Sequence, residues 1–151
     1  MYDPSAWMRG PQPVGGPAQW TDDYFVYSVN VPSLATGAVS SQTFSIQADS
    51  DFEWMMTTAY GTITAPTEPY ADTAVIPMTV QITDSGSARN LFLQALPVNA
   101  IAGTGKQPYI LPQPRIFQAR STVTCLFTSI SANTQINTFL CFHGRKIFSL
   151  G

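Results

Sequence analysis

Residue types able to do acid–base or nucleophilic chemistry are sparse in this chain. There is one histidine, His143, in the run Phe142-His143-Gly144-Arg145, and there are two cysteines, Cys125 and Cys141. A nucleophile needs a base within hydrogen-bond reach and a third group to orient that base. Neither cysteine lies in a recognisable nucleophile motif and no Gly-x-Ser-x-Gly elbow occurs, so His143 reads as a structural histidine at the end of a strand. Asp49, Asp51 and Glu53 could in principle hold a cation or supply the carboxylate pair of a wall- or polysaccharide-degrading hydrolase. In an extended strand, however, Asp51 and Glu53 share one face while Phe52 and Trp54 take the other, which reads as a solvated strand face. Gly103-Thr104-Gly105-Lys106 has the look of a phosphate loop, but the earlier glycine is missing, Gln107 stands where Ser or Thr is needed, and Pro108 blocks a clean helix start. It reads as a loop turn. No Cys or His spacing builds a zinc site. No enzymatic activity, metal or cofactor is expected.

The elements that would position these residues are strands. Phe25, Tyr27, Val29 and Val31 alternate with Tyr24, Val26, Ser28 and Asn30 up to Pro32. Phe44, Ile46 and Ala48 alternate with Thr43, Ser45 and Gln47; after Asp49-Ser50, Phe52, Trp54, Met56, Thr58 and Tyr60 form a second apolar series. Met78, Val80 and Ile82 alternate before the turn cluster Asp84-Ser85-Gly86-Ser87. From Arg89 to Pro114, prolines and glycines interrupt every apolar piece, predicting a long ordered loop with at most short strands. Val123, Cys125 and Phe127, the turn residues Ser131-Ala132-Asn133-Thr134, and then Ile136, Thr138, Leu140 and Phe142 predict a hairpin. If it turns symmetrically about Asn133, Cys125 falls opposite Cys141; free thiols are the default and a disulfide the alternative. The best helical window, Ser87 to Leu96, is short and ends at Pro97, so helix content should be low.

Composition agrees with this reading. Charged residues make up 11% of the 151-residue chain, against roughly 25% in ordinary soluble domains. Nine Phe, six Tyr and three Trp with a net charge of −2 exclude a disordered chain. Residues 1 to 84 hold all nine acids and only Arg9, while residues 85 to 151 hold six bases and no acid, so the halves carry −8 and +6. Either the halves pack on each other, or opposite-sign faces meet on neighbouring copies. Direct nucleic-acid binding is not expected, because Arg89, Lys106, Arg115, Arg120, Arg145 and Lys146 are dispersed and the overall pI is about 5.0. The N-terminus lacks a basic segment followed by an apolar run, and no stretch approaches the ~20 apolar residues of a membrane helix; synthesis in the cytoplasm and no membrane partner are expected.

Residues 1 to 20 contain four prolines and three glycines together with Trp7, Met8 and Trp20. This predicts an extended arm over residues 1–22, with apolar anchors meant for its own domain or a neighbour's surface, followed by a single domain over residues 23–151. The fold class expected is an all-β antiparallel sandwich of seven or eight strands, jelly-roll-like.

Several blocks in order carry a resemblance: Ile46-Gln47-Ala48-Asp49-Ser50-Asp51-Phe52-Glu53-Trp54, Arg89-Asn90-Leu91-Phe92, Gly103-Thr104-Gly105 through Pro108, Leu111-Pro112, Pro114-Arg115-Ile116-Phe117, Arg120-Ser121-Thr122 and Phe142 through Phe148. Over roughly residues 44 to 148 the chain resembles capsid decoration or cement proteins of tailed bacteriophages; the arm is not covered. The resemblance implies a virion protein on the capsid surface whose partners are the major capsid protein and further copies of itself. Trp7, Met8, Trp20, Arg89, Arg115, Arg120, Phe139 and Arg145 are the candidate interface residues. The alternative is a tail, neck or spike module that binds a host receptor or glycan.

Overall fold

The computed structural model describes residues 20–32, 34–63, 71–73, 76–130 and 136–149. The chain forms β1 (Trp20–Val31), β2 (Val39–Ser45), β3 (Asp51–Ile63), β4 (Ala71–Thr73), β5 (Met78–Asp84), β6 (Arg89–Asn90), β7 (Leu96–Pro97), a single helical turn α1 (Val98–Ile101), β8 (Tyr109–Phe117), β9 (Thr122–Ser129) and β10 (Ile136–Ser149). No helix among the described residues is long and apolar enough to cross a membrane.

Two antiparallel sheets result. One has the order β1-β10-β3, with β4 and β8 both on the far edge of β3; the other has the order β2-β9-β5, with β6 and β7 both beyond β5. The pairing is nested: β1 with β10, β2 with β9 and β3 with β8. A chain folded into one long antiparallel ribbon and then rolled up gives this order, with successive ribbon strands alternating between sheets. It is the connectivity of a jelly roll.

The period-two patterns explain which faces meet. Tyr27, Val29 and Val31 of β1, Leu140 and Phe142 of β10, and Phe52 and Trp54 of β3 point inward against Val80 and Ile82 of β5 and Val123, Cys125 and Phe127 of β9. A continuous aromatic seam links the sheets: Tyr27 stacks on Phe44 at 5.1 Å and meets Phe52 edge-on at 4.8 Å, while Trp54 stacks on Phe117 at 5.8 Å and tilts against Phe142 at 4.9 Å. Such pairs contribute about 1 kcal/mol each beyond the area they bury. The buried polar ends find partners, since the Tyr27 hydroxyl accepts from the Gln47 amide and the Trp54 indole donates to Thr57 Oγ1.

Several expectations are corrected. The predicted hairpin of residues 122–142 does not form: β9 and β10 lie in different sheets and face each other across the core. Cys125 is therefore aligned with Gln42 and Ile82, Cys141 with Ser28 and Thr58, and both thiols are free. The alternation in β3 breaks after Trp54, where a bulge shifts the register against both neighbours. Thr57 then takes the buried face that the alternation assigned to Met56. The loop expected over 89–114 contains most of the nine-residue β8. Its prolines are tolerated because β8 pairs with β3 only at Tyr109, Ile110 and Arg115–Phe117, leaving Leu111–Pro114 without a ladder partner. The window Ser87–Leu96 holds turn, bend and short-strand positions, in keeping with the expected low helix content. β1 begins at Trp20, so the last three residues assigned to the arm belong to a sheet; residues 1–19, including Trp7 and Met8, lie outside the described residues.

Candidate interaction surfaces

The outward face of the β1-β10-β3 sheet is built by the residues that alternate with the core. Across it, Asn30, Phe139 and Tyr60 stand in one row, Ser28, Cys141 and Thr58 in the next, and Val26, His143 and Met56 in a third. Tyr24 is 64% exposed, Tyr60 50% and Phe139 40%, so three aromatic rings face solvent on a sheet face whose rows from His143 to Phe139 carry no acid, lysine or arginine. The described charges on this face, Asp51, Glu53 and Arg145, lie at one end of it, and Glu53 and Arg145 are register partners that form a salt bridge. An antiparallel sheet usually keeps its outer face polar; aromatic enrichment with charge depletion is instead the composition of an interface core.

His143 is fixed at the centre of this face. Its Nδ1 lies 2.7 Å from the Tyr24 hydroxyl and its Nε2 2.7 Å from Thr58 Oγ1. Partial burial lowers its pKa below the ordinary value. With both ring nitrogens engaged by neutral hydroxyls, His143 has the partners of a strut that ties β1, β10 and β3 together. Cys141 next to it has its thiol pKa raised by burial, an effect offset in part by a hydrogen bond with Thr58.

A second surface is a groove of about 560 Å³ between β8 and the segment from β6 to β7. Leu91, Phe92 and Leu96 line one wall, Tyr109, Leu111 and Ile116 the other, and Trp54 and Ile101 the floor. Leu111–Pro114, the stretch of β8 without a ladder partner on β3, lines the groove. Arg115 also lines the groove. Its Nε is buried with no hydrogen-bond partner among the described residues, while its guanidinium reaches Ser87 Oγ at 3.5 Å.

The acids that could have done chemistry are all engaged. The Asp51 carboxylate accepts from the Ala119 amide at 2.8 Å, Glu53 pairs with Arg145, and Asp49 lies 3.4 Å from Lys146. Lys146 is almost buried, bonds Gln47 Oε1 and sits 4.4 Å from the centroid of the Phe25 ring. The acidic and basic halves thus meet within one subunit at these two pairs. Thr104 and Gln107 close the Gly103–Lys106 loop on itself, with the Thr104 amide donating to the Gln107 carbonyl and the Gln107 amide to Thr104 Oγ1.

The predicted interface residues do not gather into one site. Phe139 and Arg145 share the outer sheet face, Arg115 lines the groove, and Arg89 is exposed in β6. Arg120 is exposed in the turn before β9 with a positive φ of 69°. The backbone of Trp20 starts β1. Sequence reasoning missed Tyr24, Tyr60 and the groove. Tyr24 and Tyr60 sit at alternate positions of recognised strands, and the outward phase of their rings was the available signal; the groove had none.

No family model matches the chain, and no curated protein matches it. Among solved structures, it is similar to the crystal structure of the infectious bursal disease virus VP2 subviral particle, with a TM-score of 0.35 and 9% identity over 88% of this chain and 34% of that one. It is similar also to the structure of the infectious bursal disease virus Gt strain, with a TM-score of 0.23 and 9% identity over 85% of this chain and 41% of that one. The chain spans about a third of the length of the first and two fifths of the second. At this distance the likenesses carry no functional argument, and the fold assignment rests on the strand pairing described above.

Proposed function

We propose that this chain is a structural, non-enzymatic virion protein that binds the outer surface of a phage capsid and stabilises the shell. The observation that carries the reading is the outer face of the β1-β10-β3 sheet, where Tyr24, Tyr60 and Phe139 stand exposed and the described charges are confined to one end. Such a face buries apolar area against a partner without leaving a desolvated charge unpaired. The jelly-roll connectivity supports the reading only as a scaffold used by many shell proteins, since fold alone does not assign function. Repetition of one modest contact over a symmetric shell would supply stability that a single copy lacks.

The test is co-sedimentation of the purified protein with expanded, undecorated capsids, alongside capsid thermal melting. Saturable binding with a raised melting temperature is expected. Binding to host cells or glycans with no binding to shells would establish the tail or spike reading instead.

A further inference from the structure

We infer that β2 is an assembly edge, along which the β2-β9-β5 sheet continues into the same sheet of a second copy through antiparallel β2–β2 pairing. Among the described residues β2 is the outer strand of its sheet and pairs with β9 alone. Its free groups follow from the register. The Ile46 amide donates to the Ser121 carbonyl and the Ala38 carbonyl accepts from the Ser129 amide, so the even-numbered residues of the strand bond β9. The register has no shift between these contacts, and main-chain groups alternate sides along a strand. Val39, Ser41, Thr43 and Ser45 therefore turn both N–H and C=O to the free edge. Thr122, the register partner of Ser45, turns its own amide and carbonyl the other way, to Ser85, the phase that this alternation requires.

A row of free main-chain groups normally carries a device that blocks pairing. The other sheet edges have one: β1 carries Asp22 and Asp23, β8 carries Pro112, Pro114 and Arg115, and β4, β6 and β7 are two or three residues long. β2, Val39-Ser40-Ser41-Gln42-Thr43-Phe44-Ser45, has no charge, proline, glycine or bulge. The occupant is a second copy because the strand is complementary to itself. A two-fold axis at Gln42 sets Val39 of one copy opposite Ser45 of the other and Ser41 opposite Thr43, and every N–H and C=O of the row then finds a partner. Charge agrees. Past the Ser45 end stand Arg120, Asp49 and Lys146, whereas at the Val39 end residues 34–38 and 128–130 carry none. Antiparallel pairing brings each charged end to the other copy's neutral end, so no like charges meet. The axis stands perpendicular to the sheet, and both copies turn their β1-β10-β3 outer faces the same way. On the shell reading one dimer would dock through two faces, but the pairing itself does not depend on that reading.

Sedimentation of the full chain and cysteine cross-linking test this, with circular dichroism confirming that each variant is folded. The parent should pass from monomer to dimer between ~1 and ~500 µM, the range of a small interface. Thr43→Pro removes an edge-facing N–H while sparing the bonds to β9, and should weaken the dimer roughly tenfold or more. Leu126→Lys, on the same sheet but one strand in from the edge, should leave it intact. For cross-linking, with Cys141→Ser as background, Val39→Cys in one preparation and Ser45→Cys in another are mixed and oxidised. A disulfide-linked heterodimer is expected, and neither variant should link to itself, because like positions lie about 20 Å apart in this register. A parent that stays monomeric, a dimer indifferent to Thr43→Pro or broken by Leu126→Lys, or the absence of the mixed link would each overturn the pairing. Co-sedimentation of Thr43→Pro with capsids reads shell binding separately, so the pairing and the virion reading can fail independently.

Discussion

Gly144 of β10 lies so close to the backbone of Glu53 in β3 that a β-carbon on it would sit 1.8 Å from the Glu53 carbonyl oxygen and 3.0 Å from the Phe52 ring. The approach occurs where the β10–β3 register shifts between His143 and Gly144. A side chain there would push the two central strands of the sheet apart. Gly144→Ala is expected to destabilise the fold by about 2–4 kcal/mol. Gly105→Ala, with no atom within 4 Å of the added carbon, is the neutral control. Denaturant midpoints of the two variants check this, and an unchanged Gly144→Ala midpoint would contradict the strand geometry.

Burial pushes the Cys125 thiol up to about 12, so at neutral pH almost none of it is the reactive thiolate. Cys141, half-buried on the outer face, is the more accessible of the two. Native protein treated with a thiol reagent should release one slow equivalent, abolished by Cys141→Ser, and the second only on unfolding. Two equivalents at equal rates, or a disulfide by mass, would place the cysteines differently.

The folded chain holds the His143 pKa below its ordinary value near 6.5, so between the two values the unfolded chain binds more protons. Stability should then be full above the unfolded value and decline as pH falls through it toward the folded one. His143→Gln removes this contribution. The drop in urea midpoint from about pH 7.5 to pH 5.5, a window above the ordinary carboxylate range, should be smaller in the variant. Equal drops would show that another group titrates there.

Phe139 and Tyr60 are opposed on the outer sheet face and contribute nothing inward. Replacing both with Ser should leave thermal stability within about 1 kcal/mol of the parent. It should weaken capsid binding by roughly tenfold or more, the effect of losing aromatic anchors at an interface centre. Binding that survives the double replacement would move the interface off this sheet.

The secondary-structure class and the core were legible in the residue pattern alone. Period two recurs around Tyr27, Phe52, Val80, Val123 and Leu140, and each is buried as that pattern requires, because alternation depends only on the geometry of one strand. It also determined that Asp51 and Glu53 face away from Phe52 and Trp54, for the same local reason. What it could not carry is information about partners. Turn residues between β9 and β10 look the same whether the chain returns within a sheet or crosses to the other, and only the nested pairing of β1 with β10 and β2 with β9 decided that Cys125 and Cys141 stay apart. The prolines of β8 signalled a loop, since the sequence could not reveal that Leu111–Pro114 would arch clear of β3 while both ends stayed paired. The groove is lined from three separate stretches, position 54, positions 91–101 and positions 109–116. Long-range pairing, not local propensity, brings those segments together.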